Sequence, residues 1–246
     1  FLGIISNIFI HSQLKLEIIM RLGSTTTIGR GVTAAASVST TERLVFIKKV
    51  YSLLALSMLT AAVGAYLGSG PLFLLVAPNM MLFFILQIGL IFFASFAARK
   101  PGLNIIALFS FTTVSGLTLG PLLARVGPTI AAEAFALTAI TFVCLSAYVV
   151  YSKKDFSFMS GFLMTGLIVL VVGGLLNMFF IQSGMMHFVM SGASVLLFSG
   201  FILYDTSNIL RYYGTDEHVS ATLALYLDVL NLFIALLSIL GIMSDD

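Results

Sequence analysis

The stretch Ala221–Ile242, ATLALYLDVLNLFIALLSILGI, decides the fold class. It supplies about 22 residues, enough for an α-helix rising 1.5 Å per residue to cross a hydrocarbon core of about 30 Å. Six similar stretches precede it: Val50–Leu67, Met80–Ala98, Leu103–Leu123, Ile130–Val150, Phe158–Ile181 and Met185–Tyr204. Turn chemistry marks several of the short connections, at Gly68-Ser69-Gly70-Pro71, Pro101-Gly102, Gly127-Pro128 and Ser183-Gly184. Spans without interruption favour helices, because the strands of a membrane barrel alternate in polarity over about ten residues. The chain reads as an all-α polytopic membrane protein, a bundle of seven transmembrane helices.

Composition agrees. Of 246 residues, 59% are hydrophobic and 9% charged, whereas a soluble domain carries about 25% charged residues. A net charge of +2 gives no footprint for a nucleic-acid partner; the expected surroundings are the lipid bilayer. With Cys144 as its one cysteine, the chain can form no intrachain disulfide. Tyr51, Tyr66, Tyr148, Tyr151, Tyr212 and Tyr213 fall near span ends, where interfacial aromatics are expected.

Residues 1–42 read as a flexible N-terminal tail and residues 43–246 as the membrane domain. A start of translation at Met20 would leave residues 1–19 outside the native chain; they make a poor signal peptide. A short amphipathic lead-in through Arg43, Lys48 and Lys49 opens the membrane domain. If the spans alternate, Lys15, Arg21, Arg30, Arg43, Lys48, Lys49, Arg99, Lys100, Lys153, Lys154 and Arg211 share one side of the membrane, and Arg125 alone takes the other. That bias places the N terminus in the cytoplasm and, for seven full crossings, the C terminus outside.

Two carboxylates interrupt the last two spans, in Asp205-Thr-Ser-Asn208 and Asp228-Val-Leu-Asn231. A carboxylate at membrane depth costs about 2.5–3.5 kcal/mol on insertion scales, so a pair points to a site. Counted from Arg211 and from Ala221, both lie about 10 Å inside the cytoplasmic end. Two carboxylates in contact in an apolar site cannot both ionise cheaply, which makes them a proton sensor. Fully ionised, Asp205 and Asp228 could hold Ca²⁺ with the carbonyl oxygens of Asn208 and Asn231. The plainer reading makes each Asp a structural hydrogen-bonding group, or one that snorkels to the interface.

Arg99, at the cytoplasmic end of the second span, is a candidate ionic latch for one Asp, or simply a positive-inside anchor. Glu133 is either part of an outer vestibule or an interfacial residue. His187 can titrate, but a lone histidine in a span is usually a packing residue. Gly116 and Gly120 form a GxxxG that allows two helices to approach closely, and Gly173-Gly174 serves the same end. No HExxH, Walker loop, dinucleotide fingerprint or Gly-x-Ser-x-Gly elbow occurs, and the aspartates lack the Gly-rich surroundings expected of an intramembrane aspartyl protease. The sequence therefore gives no case for an enzyme, and it implies no cofactor.

Cys144-Leu-Ser-Ala-Tyr148, Lys153-Lys-Asp-Phe-Ser157, Gly161-Phe-Leu-Met-Thr-Gly166, Tyr204-Asp-Thr-Ser-Asn208 and Leu225-Tyr-Leu-Asp-Val-Leu-Asn-Leu-Phe233 together resemble the Bax inhibitor-1 family. The resemblance covers about Arg43 to Gly241. Asp205-Thr-Ser-Asn-Ile209 and Leu236-Leu-Ser-Ile-Leu-Gly241 look most like the bacterial branch that contains the modulator of the FtsH membrane protease. The resemblance implies a seven-helix bundle with the last helix central, in a bacterial inner membrane. For members with two aspartates it implies a pH-sensitive calcium leak, with the di-aspartyl sensor on Asp205 and Asp228 and the arginine latch on Arg99. Two functions stand at this point: a proton-gated passive Ca²⁺ channel, and a regulatory partner of an AAA membrane protease that grips the cytoplasmic tail.

Overall fold

The computed structural model describes residues 39–97 and 100–244. Nearly all of the expected N-terminal tail, and Arg99, lie outside the described residues. Among those described, regular structure is helical and no strand occurs. The helices are α1 (Thr40–Ser69), the single turn α2 (Phe73–Val76), α3 (Met80–Ala97), α4 (Leu103–Val126), α5 (Pro128–Ser152), α6 (Ser160–Leu176), α7 (Gly184–Arg211) and α8 (His218–Ser244). Short 3₁₀ turns lead into α3 and α6, and a π-turn, Asn177–Ile181, ends α6. Among the described residues, seven helical segments are long and apolar enough to cross a membrane. The protein is an integral membrane protein.

Local chemistry explains where the elements differ from the sequence expectation. Ser39 and Glu42 form a capping box, the Ser39 hydroxyl accepting from the Glu42 amide at 3.2 Å and the Glu42 carboxylate from the Ser39 amide at 3.0 Å. With no Gly or Pro between Arg43 and Val50, α1 runs unbroken from that cap. The basic lead-in is therefore the first turns of the first span, not a separate amphipathic segment. Likewise α7 continues past Tyr204 to Arg211, which places Asp205 to Asn208 inside the helix. The last span is the most buried, 67% of its apolar window against 12–44% for the others.

The chain forms two compact units. The first comprises the described residues up to 128 together with 211–226. Its basis is the crossing of α1 and α4. A Cβ at Gly116 would fall on the Ala61 carbonyl, one at Gly120 on the Gly68 backbone, and one at Gly64 on the Thr113 carbonyl. The GxxxG thus does what its spacing predicts: it brings two backbones into contact. Nearby, the Tyr226 hydroxyl is fully buried and shares a short hydrogen bond with Ser115 Oγ, while its ring meets Phe111 edge-on at 5.9 Å. Thr112 Oγ1 and Thr60 Oγ1, at 2.6 Å, extend the polar contact between α4 and α1.

Tyr66, Tyr148, Tyr151 and Tyr212 are exposed at helix ends, as interfacial residues should be. Tyr213 is instead turned inward, 7% exposed, where its carbonyl accepts from Arg43 Nη1 at 2.5 Å.

The second unit comprises residues 129–210 and 227 onward. Leu163, Leu167 and Leu170 of α6, Leu197, Phe198, Phe201 and Ile202 of α7, and Leu232 of α8 form one apolar cluster. Gly166 and Gly200 make room in it: a Cβ on the first would press on Leu197, and on the second on Leu163.

Candidate functional site

Asp205 and Asp228 both belong to the second unit, on α7 and α8. The apolar cluster explains their placement. Asp205 lies one turn beyond Ile202, toward the end of α7, and Asp228 one turn before Leu232, toward the start of α8. Because consecutive helices joined by a short turn run antiparallel, both steps lead in the same direction out of the cluster. The carboxylates are 1% and 0% exposed, and their asparagine companions, Asn208 and Asn231, are 7% and 3% exposed. A spacing of three residues keeps each Asp and its Asn on one helix face.

Measured along the helices, Asp205 is about 9 Å from the end of α7 and Asp228 about 15 Å from the start of α8. The second figure exceeds the sequence estimate because α8 begins at His218, a turn ahead of Ala221. Buried carboxylates and amides need hydrogen-bonding surroundings, and α7 supplies some of them. The Tyr204 hydroxyl hydrogen-bonds to the Asn208 and Ser160 side chains and lies within electrostatic reach of Asp205.

A further group of residues joins this end of α7. The Phe156 amide donates to Ser207 Oγ at 3.1 Å, and Asp155 Oδ1 accepts from the Ser157 amide at 2.9 Å and from Ser207 Oγ at 3.4 Å. Phe156 is 9% exposed and packs against Tyr148, ring centroids 6.0 Å apart. The connection between α5 and α6 is thereby pinned onto the buried Asp-Thr-Ser-Asn run. Sequence reasoning assigned Ser207 and Asp155 no role. Ser207 lay within the Asp205–Asn208 motif, where the flanking residues drew the reading, and Asp155 within Lys153–Ser157, which is also a charge-bearing loop of the kind that sets topology.

The other end of the same unit holds a cavity of about 280 Å³ among α6, α7 and α8. Asn231 lines it, with Asn177, His187, Ser191, Ser194 and Ser238. Asn231 thus serves two neighbourhoods, that of Asp228 one turn away and this one. Glu133 is exposed on α5 and does not line the cavity. Among the described residues no three His, Cys, Asp or Glu side chains gather as a metal site. Two carboxylates and two amides offer at most six oxygens, the lower bound of the six to eight of a tight Ca²⁺ site, and only if both carboxylates bind through both oxygens.

The family model described as inhibitor of apoptosis-promoting Bax1 matches residues 43–245. The chain belongs to the Bax inhibitor-1 family. Among its relatives, an uncharacterized protein of Campylobacter jejuni is 44% identical over 207 residues, 81% of this chain and 89% of the relative. The modulator of FtsH protease YccA of Escherichia coli is 38% identical over 205 residues, 81% of this chain and 91% of the relative. A Golgi anti-apoptotic protein of vaccinia virus is 35% identical over 214 residues, 85% of this chain and 90% of the relative. This Bax inhibitor-1 family member therefore has bacterial and viral relatives that share nearly their whole length with it.

Proposed function

We propose that this protein is a passive, proton-responsive leak for Ca²⁺ in a bacterial inner membrane, with Asp205 and Asp228 as its sensor. The observation that carries the reading is the burial of two carboxylates, 1% and 0% exposed, on consecutive helices of one unit. Charge at such a site is expensive, and ionising both groups more so. Protonation therefore removes a repulsion that one packing of the helices tolerates better than another. That difference in proton affinity between two states is what lets pH move a conformational equilibrium. Ca²⁺ is cargo in this reading. A sparse set of oxygens suits it, since a conducting site must bind weakly enough to release. The cation bias puts the N terminus, and the end of α7 that bears Asp205, on the cytoplasmic side. Arg99 is the latch candidate, to be tested by substitution.

The deciding experiment is Ca²⁺ entry into dye-loaded proteoliposomes between pH 5 and 8. Wild type should leak in a pH-dependent manner. Asp205→Asn and Asp228→Asn, which mimic permanently protonated groups, should flatten that dependence. No flux above empty liposomes, from folded protein, would refute the leak.

A second reading is favoured by the Escherichia coli relative named modulator of FtsH protease. The protein would then bind an AAA membrane protease, with the segment before Arg43 as the handle. The two roles are compatible, since one uses the membrane domain and the other the tail.

A further inference from the structure

The cavity among α6, α7 and α8 carries an unanswered hydrogen-bond demand. Asn231 is 3% exposed, and its side-chain Nδ2 is buried with no hydrogen-bond partner in the protein. An amide donor left so in an apolar region carries the full cost of its lost hydration. The lining of the cavity offers complementary groups. The hydroxyls of Ser191, Ser194 and Ser238 each donate to the carbonyl four residues back, at 2.9, 2.8 and 2.8 Å. Their donor is spent and their lone pairs are left to accept. A lining that presents both donors and acceptors suits a species that both donates and accepts. Water does so, and an ester or a hydrocarbon tail does not.

Size and charge narrow the occupant further. One water needs about 10–15 Å³ of probe-occupied space, so about 280 Å³ holds several. Among the described residues no Asp, Glu, Lys or Arg lines the cavity, so a cation enters it only with its hydration water. The position supplies the role. His187 and Asn177 lie where α6 gives way to α7, a turn fixed by Asn177, whose Oδ1 accepts from the Ser183 amide at 3.0 Å. Asn231, at the other extreme, is one helical turn, about 4.5 Å, from Asp228.

We propose that this cavity is a hydrated inlet, which binds a file of water from the α6–α7 turn to Asn231 and brings solvent within one turn of Asp228. Its place on a route to the acidic pair rests on the leak reading; its hydration does not.

Single cysteines test both parts in full-length protein in proteoliposomes, in a Cys144→Ala background. The probe is a membrane-impermeant, positively charged methanethiosulfonate, which reacts with the thiolate that forms in water. Ser194→Cys and Ser238→Cys should label. Leu196→Cys, 76% exposed on the outer face of α7 and so turned to lipid, should not. Failure of both inlet cysteines to label, in protein that elutes as folded, would overturn the hydrated inlet. In labelled Ser194→Cys the Ca²⁺ leak should fall, and an unchanged leak would overturn the inlet's place on the route. A protein that labels in this pattern but never leaks retires the leak reading and, with it, the route, while the hydrated cavity stands.

Discussion

The amide of Phe156 donates to the hydroxyl of Ser207 at 3.1 Å, across 51 residues of sequence. Through this bond the α5–α6 connection closes over the end of α7 where Asp205 lies buried. Ser207 is 0% exposed and Phe156 9%, so neither partner has ready access to water if the other is lost. Ser207→Ala should therefore destabilise the protein by about 1–3 kcal/mol, the penalty for a buried donor left without its acceptor. Thermal unfolding in detergent would read this as a lower midpoint. A midpoint equal to wild type would show that other contacts hold the loop.

The close crossing of α1 and α4 gives a pair of glycines with opposite expectations. At Gly116 a Cβ would strike the Ala61 backbone, whereas at Gly89 nothing lies within 4 Å. Gly116→Ala forces two helix backbones apart and should cost about 1–3 kcal/mol. Gly89→Ala adds a methyl in open space and removes the glycine penalty within α3, a gain of about 0.5–1 kcal/mol. Unfolding midpoints of the two variants should move in opposite directions. Equal shifts would mean that the crossing can relax.

How far the sequence carried the fold is clear from these elements. The spans were legible because membrane crossing requires long apolar runs, and Gly116-x-x-x-Gly120 because close approach requires missing side chains. Asp205, Asp228 and their asparagines could be paired by helical periodicity alone. The tie between Phe156 and Ser207 could not, since nothing local in Lys153–Ser157 distinguishes a solvated basic loop from one docked on a distant helix. The cavity at Asn231 was equally hidden: it depends on which faces of three helices meet, and each face by itself reads as ordinary apolar sequence with small polar residues. The inward turn of Tyr213 was missed for a related reason, because a tyrosine at a span end is usually interfacial.

Tyr226 tests how much the buried hydroxyl chain contributes. Its hydroxyl contacts Ser115 Oγ and lies 3.5 Å from the Thr112 carbonyl, yet Ser115 Oγ also donates to that carbonyl at 2.9 Å. Tyr226→Phe keeps the ring against Phe111 and leaves Ser115 with a partner. The expected loss is therefore about 1 kcal/mol, the net worth of one hydrogen bond. Ser115→Ala leaves the fully buried Tyr226 hydroxyl only the Thr112 carbonyl at 3.5 Å, a longer and weaker bond, and should cost more. A denaturation series ranking the two the other way round would show that the Tyr226 hydroxyl closes onto the Thr112 carbonyl once Ser115 no longer donates to it.

The two proposed roles separate by location. A leak depends on the membrane domain, where the carboxylates are buried, whereas engagement by a processive protease needs an extended segment it can grip. Deleting residues 1–38 should leave Ca²⁺ flux and its pH dependence unchanged while abolishing any effect on degradation of a reporter substrate by the membrane protease. Asp228→Asn should do the reverse, altering flux and sparing the protease effect. Both activities are read from the same preparation, so a general folding defect would show as loss of both. If the deletion left protease modulation intact, the handle would have to lie within the membrane domain, and the tail would lose its assigned role.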